Sequence, residues 1–122
     1  MVTKLAWRDF GVLDELKREG IEVIALPSSE TTSIENVFES DDFDKRKARL
    51  ISQADPFQPE DIPKAEAKVY SLAGLFVGEI PGTLIEYLAG EGEVALDMQA
   101  MLRYNEKASF AFKDWQEKEK YL

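Results

Sequence analysis

Apolar and polar positions follow their most regular pattern between residues 67 and 103, where they predict one strand, helix, strand unit. An apolar run at Val69–Leu72 predicts the first strand, and a run at residues 94–96 predicts the second. Between them, apolar residues recur at helical spacing up to a glycine at position 90: Ile80, Leu84, Ile85, Leu88 and Ala89. Two short strands joined by a helix indicate a parallel crossover, because a parallel pair needs a long connection.

Glycine and polar residues follow the carboxyl ends of these two predicted strands. Gly74 comes after the first strand, and Asp97, Gln99 and Arg103 come after the second. Ligands of open parallel sheets bind at that edge, where loops and helix N-termini converge with free backbone donors. The pattern therefore predicts a ligand site, although a turn or helix cap explains Asp97 equally well, and a nearby carboxylate could pair with Arg103.

The first half of the chain predicts a helix, a strand and a hairpin. Asp9 is a suitable N-cap for a helix over residues 10–19, which Gly20 would end, and a strand is expected at residues 21–26. Residues 31–52 predict a hairpin with an acidic tip at residues 39–44. Asn36 lies in its first strand as a candidate binding residue, but alternation on a half-buried sheet also explains a polar side chain there.

The remaining segments show weaker patterns. Three prolines between the hairpin and the crossover, Pro56, Pro59 and Pro63, predict an irregular connection. Residues 104–111 are expected to be irregular, and residues 112–122 to form a charged helix. The 122 residues are long enough for one modest core, so we expect a single domain.

Composition narrows the chemistry. The chain carries 24 acidic and 15 basic residues, for a net charge of −9, which disfavours nucleic acid and anionic membranes as partners. It has no cysteine and no histidine, which excludes thiolate nucleophiles, serine-type triads and most zinc sites. The first residues hold no apolar run long enough for a signal peptide or a membrane span, and we expect a cytoplasmic protein.

Five segments in order carry a resemblance to a known family. They are TTSIENVFE, the arginine-containing return strand that follows it, ADPF with DIP, VYSLAGLFVGEIP, and VALDMQAMLR. In this order and spacing they resemble the middle of a PfkB-family, ribokinase-like carbohydrate kinase. The resemblance implies an α/β fold: a partial ribokinase-like parallel sheet with flanking helices and a small β-hairpin lid, about residues 31–52.

The resemblance also implies a function. Members of this family transfer a phosphoryl group from ATP, with Mg²⁺, to a sugar hydroxyl, and in several of them the lids of two subunits pair. It supports substrate-binding roles for Asn36, Gly74, Asp97, Gln99 and Arg103, and it implies that residues 97–103 lie next to the substrate and the phosphates. Gln99 replaces the usual asparagine of the family's Asp-x-Asn-x-x-x-Arg-like segment, and Ala100 stands where glycine is frequent.

Two motifs of the family are absent from this sequence. It has no Gly-Gly substrate motif near the start and no Gly-x-Gly-Asp motif, which carries the catalytic base, near the end. We therefore expect a central piece of a kinase, with no catalytic residue, no metal site and no ATP or Mg²⁺ binding of its own, that assembles into homo-oligomers through lid strands or sheet edges. The alternatives are a non-catalytic, self-associating interaction module and an independent enzyme that uses Asp97 with a second carboxylate.

Overall fold

The computed structural model describes residues 1–38, 46–64, 67–106, 109–117 and 119, which form an α/β fold. Their strands pair two by two: β1 (Val2–Ala6) with β2 (Ile24–Ser28), β3 (Ser33–Phe38) with β4 (Arg46–Ser52), β5 (Val69–Leu72) with β6 (Glu93–Leu96), and β7 (Arg103–Glu106) with β8 (Ser109–Phe112). The α-helices are α1 (Asp14–Arg18), α2 (Gly82–Glu91) and α3 (Gln99–Leu102). No helix in the described part is long and apolar enough to cross a membrane.

The predicted parallel crossover is confirmed. Strands β5 and β6 pair in parallel, with Val69 opposite Glu93 and Leu72 opposite Leu96, and α2 lies between them in sequence. The helix buries its apolar stripe in the core, which contains these residues: Ile80, Leu84, Ile85, Leu88, Ala100 and Met101. The core therefore lies against the β5–β6 pair.

Strands β1 and β2 also pair in parallel, through a helical connection that starts earlier than predicted. A 3₁₀ helix spans Trp7–Leu13 and leads into α1. Asp9 is not its N-cap, because the helix begins before it and Asp9 lies in the first turn, where its carboxylate accepts a hydrogen bond from the Thr31 hydroxyl. The second strand begins at Ile24 rather than at residue 21, and it includes Pro27 opposite Leu5.

The predicted end of the first helix is confirmed at Gly20. This residue has φ of +82°, and its N–H donates to the Lys17 carbonyl at 3.0 Å. The Ile21 N–H donates to the Leu16 carbonyl at 3.1 Å. These two bonds form a Schellman motif, which favours glycine at the left-handed position.

The predicted first hairpin is formed by β3 and β4, which pair antiparallel with a bulge between Ser33 and Ile34. Its predicted tip at residues 39–44 lies outside the described residues. Between this hairpin and β5 the described residues, 53–64 and 67–68, are irregular, as the prolines predict, apart from a 3₁₀ turn at Pro59–Asp61.

The prediction of an irregular segment at residues 104–111 is wrong. Strands β7 and β8 pair antiparallel, with Arg103 opposite Phe112 and Tyr104 opposite Ala111, and form a second hairpin. Its apolar side chains find partners that are distant in sequence, since the Phe110 ring contacts the Phe76 ring at 5.1 Å between centroids. The helix predicted for residues 112–122 is also wrong in its first part, where the structure has strand and then a 3₁₀ turn at Trp115–Glu117; residues 118 and 120–122 lie outside the described residues.

Candidate functional site

Asp97 follows directly on β6 and closes the carboxyl edge of the β5–β6 pair. Its N–H donates to the Leu72 carbonyl at 2.8 Å, which extends the strand pairing by one bond. Its Oδ1 accepts the Gln99 N–H at 2.9 Å, so Asp97 does act as a turn former at the start of α3. The residue is exposed, and its second oxygen has no hydrogen bond within the described part of the chain. The turn-forming role and a ligand role are therefore compatible.

Gly74 lies where the loop after β5 packs on α3. A Cβ atom at this position would be 2.9 Å from the Ala100 Cβ and 3.2 Å from the Ile80 Cδ1. Side chains essentially never approach so closely, so the backbone contact requires glycine. Gly74 thereby brings the loop against the segment that carries Asp97 and Gln99.

Arg103 is half-buried and faces aromatic rings. Its guanidinium carbon lies 5.4 Å from the ring centroid of Phe110, 5.8 Å from that of Phe76 and 6.0 Å from that of Phe112. These distances fit cation–π contacts. Its Nε atom is buried without a hydrogen-bond partner, and Arg103 forms no ion pair with the carboxylates of the described residues.

The backbone fixes the position of this arginine. The Val77 N–H donates to the Arg103 carbonyl at 2.8 Å, which ties the start of β7 to the loop after β5. The Phe76 side chain is almost fully buried and meets the Phe110 ring edge-on, at an interplanar angle of 71°. The guanidinium therefore stands on a rigid aromatic support, close to the loop that also carries Gly74.

Glu79 is a buried carboxylate that the sequence patterns did not single out. Its Oε2 accepts the Leu75 N–H at 2.6 Å and the Phe76 N–H at 2.9 Å. Its Oε1 accepts a hydrogen bond from the Thr32 hydroxyl, at the base of the first hairpin. The sequence feature that could have indicated it is an acidic residue that follows the apolar run Leu75, Phe76 and Val77 and one glycine.

The structure places three of the five predicted binding residues at one sheet edge, and a backbone hydrogen bond joins a fourth, Arg103, to the loop after β5. Gly74, Asp97 and Gln99 lie at the carboxyl edge of β5 and β6, and Arg103 follows at the end of α3. Asn36 lies apart from them on β3, exposed and opposite Ala48. No group of three or more carboxylates that could hold a metal ion occurs within the ranges that the structure describes.

Among the comparisons with known proteins, only the search of solved structures finds similar chains. No family model matches the sequence, and no curated protein matches it. A pyrophosphate-dependent kinase of the ribokinase family, solved as a sulfate complex, is 36% identical with a TM-score of 0.86 over 98% of this chain. The same kinase type, complexed with a pyrophosphate analogue and myo-inositol, is 35% identical with a TM-score of 0.84. Over nearly its whole length, the chain is therefore similar to a part of these ribokinase-family kinases.

A third ribokinase-family structure is 33% identical with a TM-score of 0.82. It is a pyrophosphate-dependent myo-inositol-1 kinase that an asparagine-to-leucine and a serine-to-leucine substitution converted into a myo-inositol-3 kinase. The chain spans 43%, 42% and 40% of the length of these three neighbours. The resemblance and the fold class inferred from the sequence are thus confirmed, whereas the expected ATP dependence is not shown, since the neighbours use pyrophosphate.

Proposed function

We propose that this chain supplies the acceptor side of a kinase that transfers a phosphoryl group to a hydroxyl of a sugar or cyclic polyol. The likeness to ribokinase-family kinases supports the reaction class, and one of those neighbours holds myo-inositol. Within the chain, the polar side chains at the carboxyl edge of β5 and β6 support a site for a hydroxylated ligand, because parallel sheets bind their ligands at this edge.

Each proposed binding residue offers a distinct chemistry. The free oxygen of Asp97 accepts hydrogen bonds from ligand hydroxyls, and the Gln99 amide both donates and accepts. Arg103 offers a planar fork of donors to the oxygens of a phosphoryl group. Asn36, on the first hairpin, would contact the ligand only if the hairpin covers the site. Gly74 contributes by close backbone approach rather than by a side chain.

The buried, unpaired Nε atom of Arg103 carries the proposal. Nearly all buried polar atoms in proteins have a partner, so a buried Nε without one is unusual. Its ring neighbours stabilise the charge without occupying its donors. An anionic ligand would bind to the terminal NH₂ groups of the guanidinium, and in a kinase the phosphoryl group in transfer supplies that anion.

The phosphoryl donor is either pyrophosphate or ATP. The neighbours favour pyrophosphate. We therefore assign only the acceptor side of the reaction to this chain.

Ligand binding by the purified chain tests the proposal. We expect myo-inositol to shift the amide NMR resonances of residues 97–103, and pyrophosphate to shift those around Arg103. The Arg103→Met variant should lose the response to pyrophosphate, and Asp97→Asn should weaken the response to myo-inositol. Arg49→Met serves as the matched control, since Arg49 pairs with Glu35 at 2.6 Å on the first hairpin. Equal responses in Arg103→Met and the wild type would contradict the assignment.

Turnover by the chain alone is a separate prediction. We expect no sugar-dependent release of phosphate from pyrophosphate and no formation of ADP from ATP, because the sequence holds no Gly-x-Gly-Asp motif to supply the base. A coupled phosphate assay and an ADP assay, each with and without myo-inositol, measure it. A clear sugar-dependent rate would show that the chain contains its own catalytic base.

A self-associating interaction module remains the second candidate, and it too rests on an observation. The first hairpin exposes three large apolar side chains, Val37, Phe38 and Ile51. Exposed apolar side chains on strands favour pairing with another copy. A tight oligomer that ignores sugars would support this candidate over the kinase.

A further inference from the structure

The base of the first hairpin is connected to the loop after β5 through one buried carboxylate. Glu79 is 8% exposed, and it is the buried acidic residue of the described core. Both of its oxygens are used: Oε2 by the Leu75 and Phe76 N–H groups, and Oε1 by the Thr32 hydroxyl. All of these donors are neutral, so hydrogen bonds rather than an ion pair hold the buried carboxylate.

The hydrogen-bond chain continues beyond Glu79 into both ends of the hairpin. While the Thr32 hydroxyl donates to Glu79, its oxygen accepts the Ala54 N–H at 2.9 Å. Thr32 directly precedes β3, and Ala54 follows β4, so one hydroxyl closes the base of the hairpin. A second bond runs alongside, since the Gln53 Nε2 donates to the Val77 carbonyl at 3.1 Å.

The same loop also positions the candidate site. Glu79 Oε2 would lie 3.2 Å from a Cβ at Gly74, and Phe76, whose N–H binds Glu79, packs under the Arg103 guanidinium. We propose that Glu79 is a positioning residue, which acts through Thr32 to fix the first hairpin against the loop that supports Arg103. That this loop belongs to an acceptor site rests on the proposed function.

The position of Thr32 allows a closely matched pair of variants. Thr32→Val keeps the shape but removes the hydroxyl, which leaves both the Ala54 N–H and Glu79 Oε1 without a partner. Thr32→Ser keeps the hydroxyl and serves as the control. Glu79→Gln adds a second probe, because its amide can still accept the two backbone N–H groups but can only donate toward Thr32.

Hydrogen exchange of the purified chain tests the positioning role without any ligand. In Thr32→Val we expect exchange at the Ala54, Leu75 and Phe76 amides to rise by about tenfold or more, with α2 amides unchanged and Thr32→Ser close to the wild type. Glu79→Gln should raise exchange at Ala54 more than at Leu75. A uniform rise in amide exchange that includes α2 would show that the Thr32–Glu79 bond contributes to stability in general, and it would overturn the proposal. Unchanged exchange would overturn it as well.

Binding of myo-inositol to the same variants separates this inference from the proposed function. If the wild type binds, Thr32→Val should weaken binding by about tenfold, and Thr32→Ser should restore it. Unchanged affinity in Thr32→Val would overturn the positioning role. If the wild type shows no binding, the proposed function fails, and the exchange pattern alone decides whether Glu79 positions the hairpin.

Discussion

At the scale of single residues, the described arginines differ in what they face. Arg8 and Arg49 pair with the glutamates Glu30 and Glu35 at the surface, where such pairs contribute little to stability. Arg103 instead faces phenylalanine rings and leaves a buried Nε unpaired. An arrangement that costs desolvation without a compensating bond is typical of a functional residue rather than a structural one.

This contrast predicts how stability responds at position 103. The Arg103→Met variant loses cation–π contacts worth roughly 0.5–1 kcal/mol each but also removes an unsatisfied buried group that costs about 1–3 kcal/mol. We expect the free energy of unfolding to change by less than about 1 kcal/mol, measured by urea denaturation. A loss of more than about 2 kcal/mol would assign Arg103 to the structure instead.

Gly74 provides a second test at this scale. Gly74→Ala places a Cβ 2.9 Å from the Ala100 Cβ, so we expect a loss of about 1–3 kcal/mol through overpacking. Ala100→Gly should recover part of it in the double variant, since the 3.2 Å contacts with Glu79 and Ile80 remain. Urea denaturation of both single variants and the double variant gives the coupling. Strictly additive changes would contradict a direct clash between positions 74 and 100.

At the scale of elements, periodicity within a segment decided what the sequence could predict. The β5–α2–β6 unit and the first hairpin were predictable because each carries its own apolar pattern and ends at a turn residue. The second hairpin was not, because its four-residue strands depend on the distant ring of Phe76. The same limit applies to the site: Asp97 was recognisable from its strand, whereas Glu79 gains its role from Thr32, which lies far away in the sequence.

A salt bridge connects the 3₁₀ turn at Pro59–Asp61 to β1, and it predicts how the stability of the fold changes at low pH. Lys4 Nζ lies 2.5 Å from Asp61 Oδ2 and 2.8 Å from the Pro56 carbonyl oxygen. Burial alone would raise the pKa of Asp61, but hydrogen bonds from the Lys4 ammonium and the Gln58 N–H outweigh it and hold this pKa below its ordinary 3.8.

Because the folded-state pKa is the lower one, ionised Asp61 stabilises the fold above pH 3.8, and this stabilisation is lost as the pH falls through the folded-state value. We expect Asp61→Asn to be less stable at neutral pH and to show a shallower loss of stability from about pH 5 downward. Urea denaturation across this pH range measures both effects. Asp14→Asn is the control, since Asp14 is 66% exposed and pairs with Lys17 at 3.6 Å; equal slopes for Asp61→Asn and the wild type would contradict the role of Asp61.

At the scale of the whole molecule, charge and exposed apolar surface oppose each other. The net charge of −9 makes copies of the chain repel one another. The first hairpin nevertheless exposes Val37 at 43%, Phe38 at 46% and Ile51 at 55%. Repulsion between surface charges is screened over about 10 Å at 0.1 M salt, whereas apolar contact is not weakened by salt. Any association through the hairpin should therefore strengthen as salt is added.

We expect sedimentation equilibrium to show little association at low salt and a dimer or larger oligomer at high salt. The double variant Val37→Lys, Ile51→Lys should stay monomeric at both salt concentrations, because it removes apolar contact from the hairpin. Val12→Lys is the matched control, since Val12 is 68% exposed but lies on the 3₁₀ helix, and it should associate like the wild type. If all three chains stay monomeric in high salt, pairing through the hairpin is wrong, because screening would have removed the charge repulsion that opposes it.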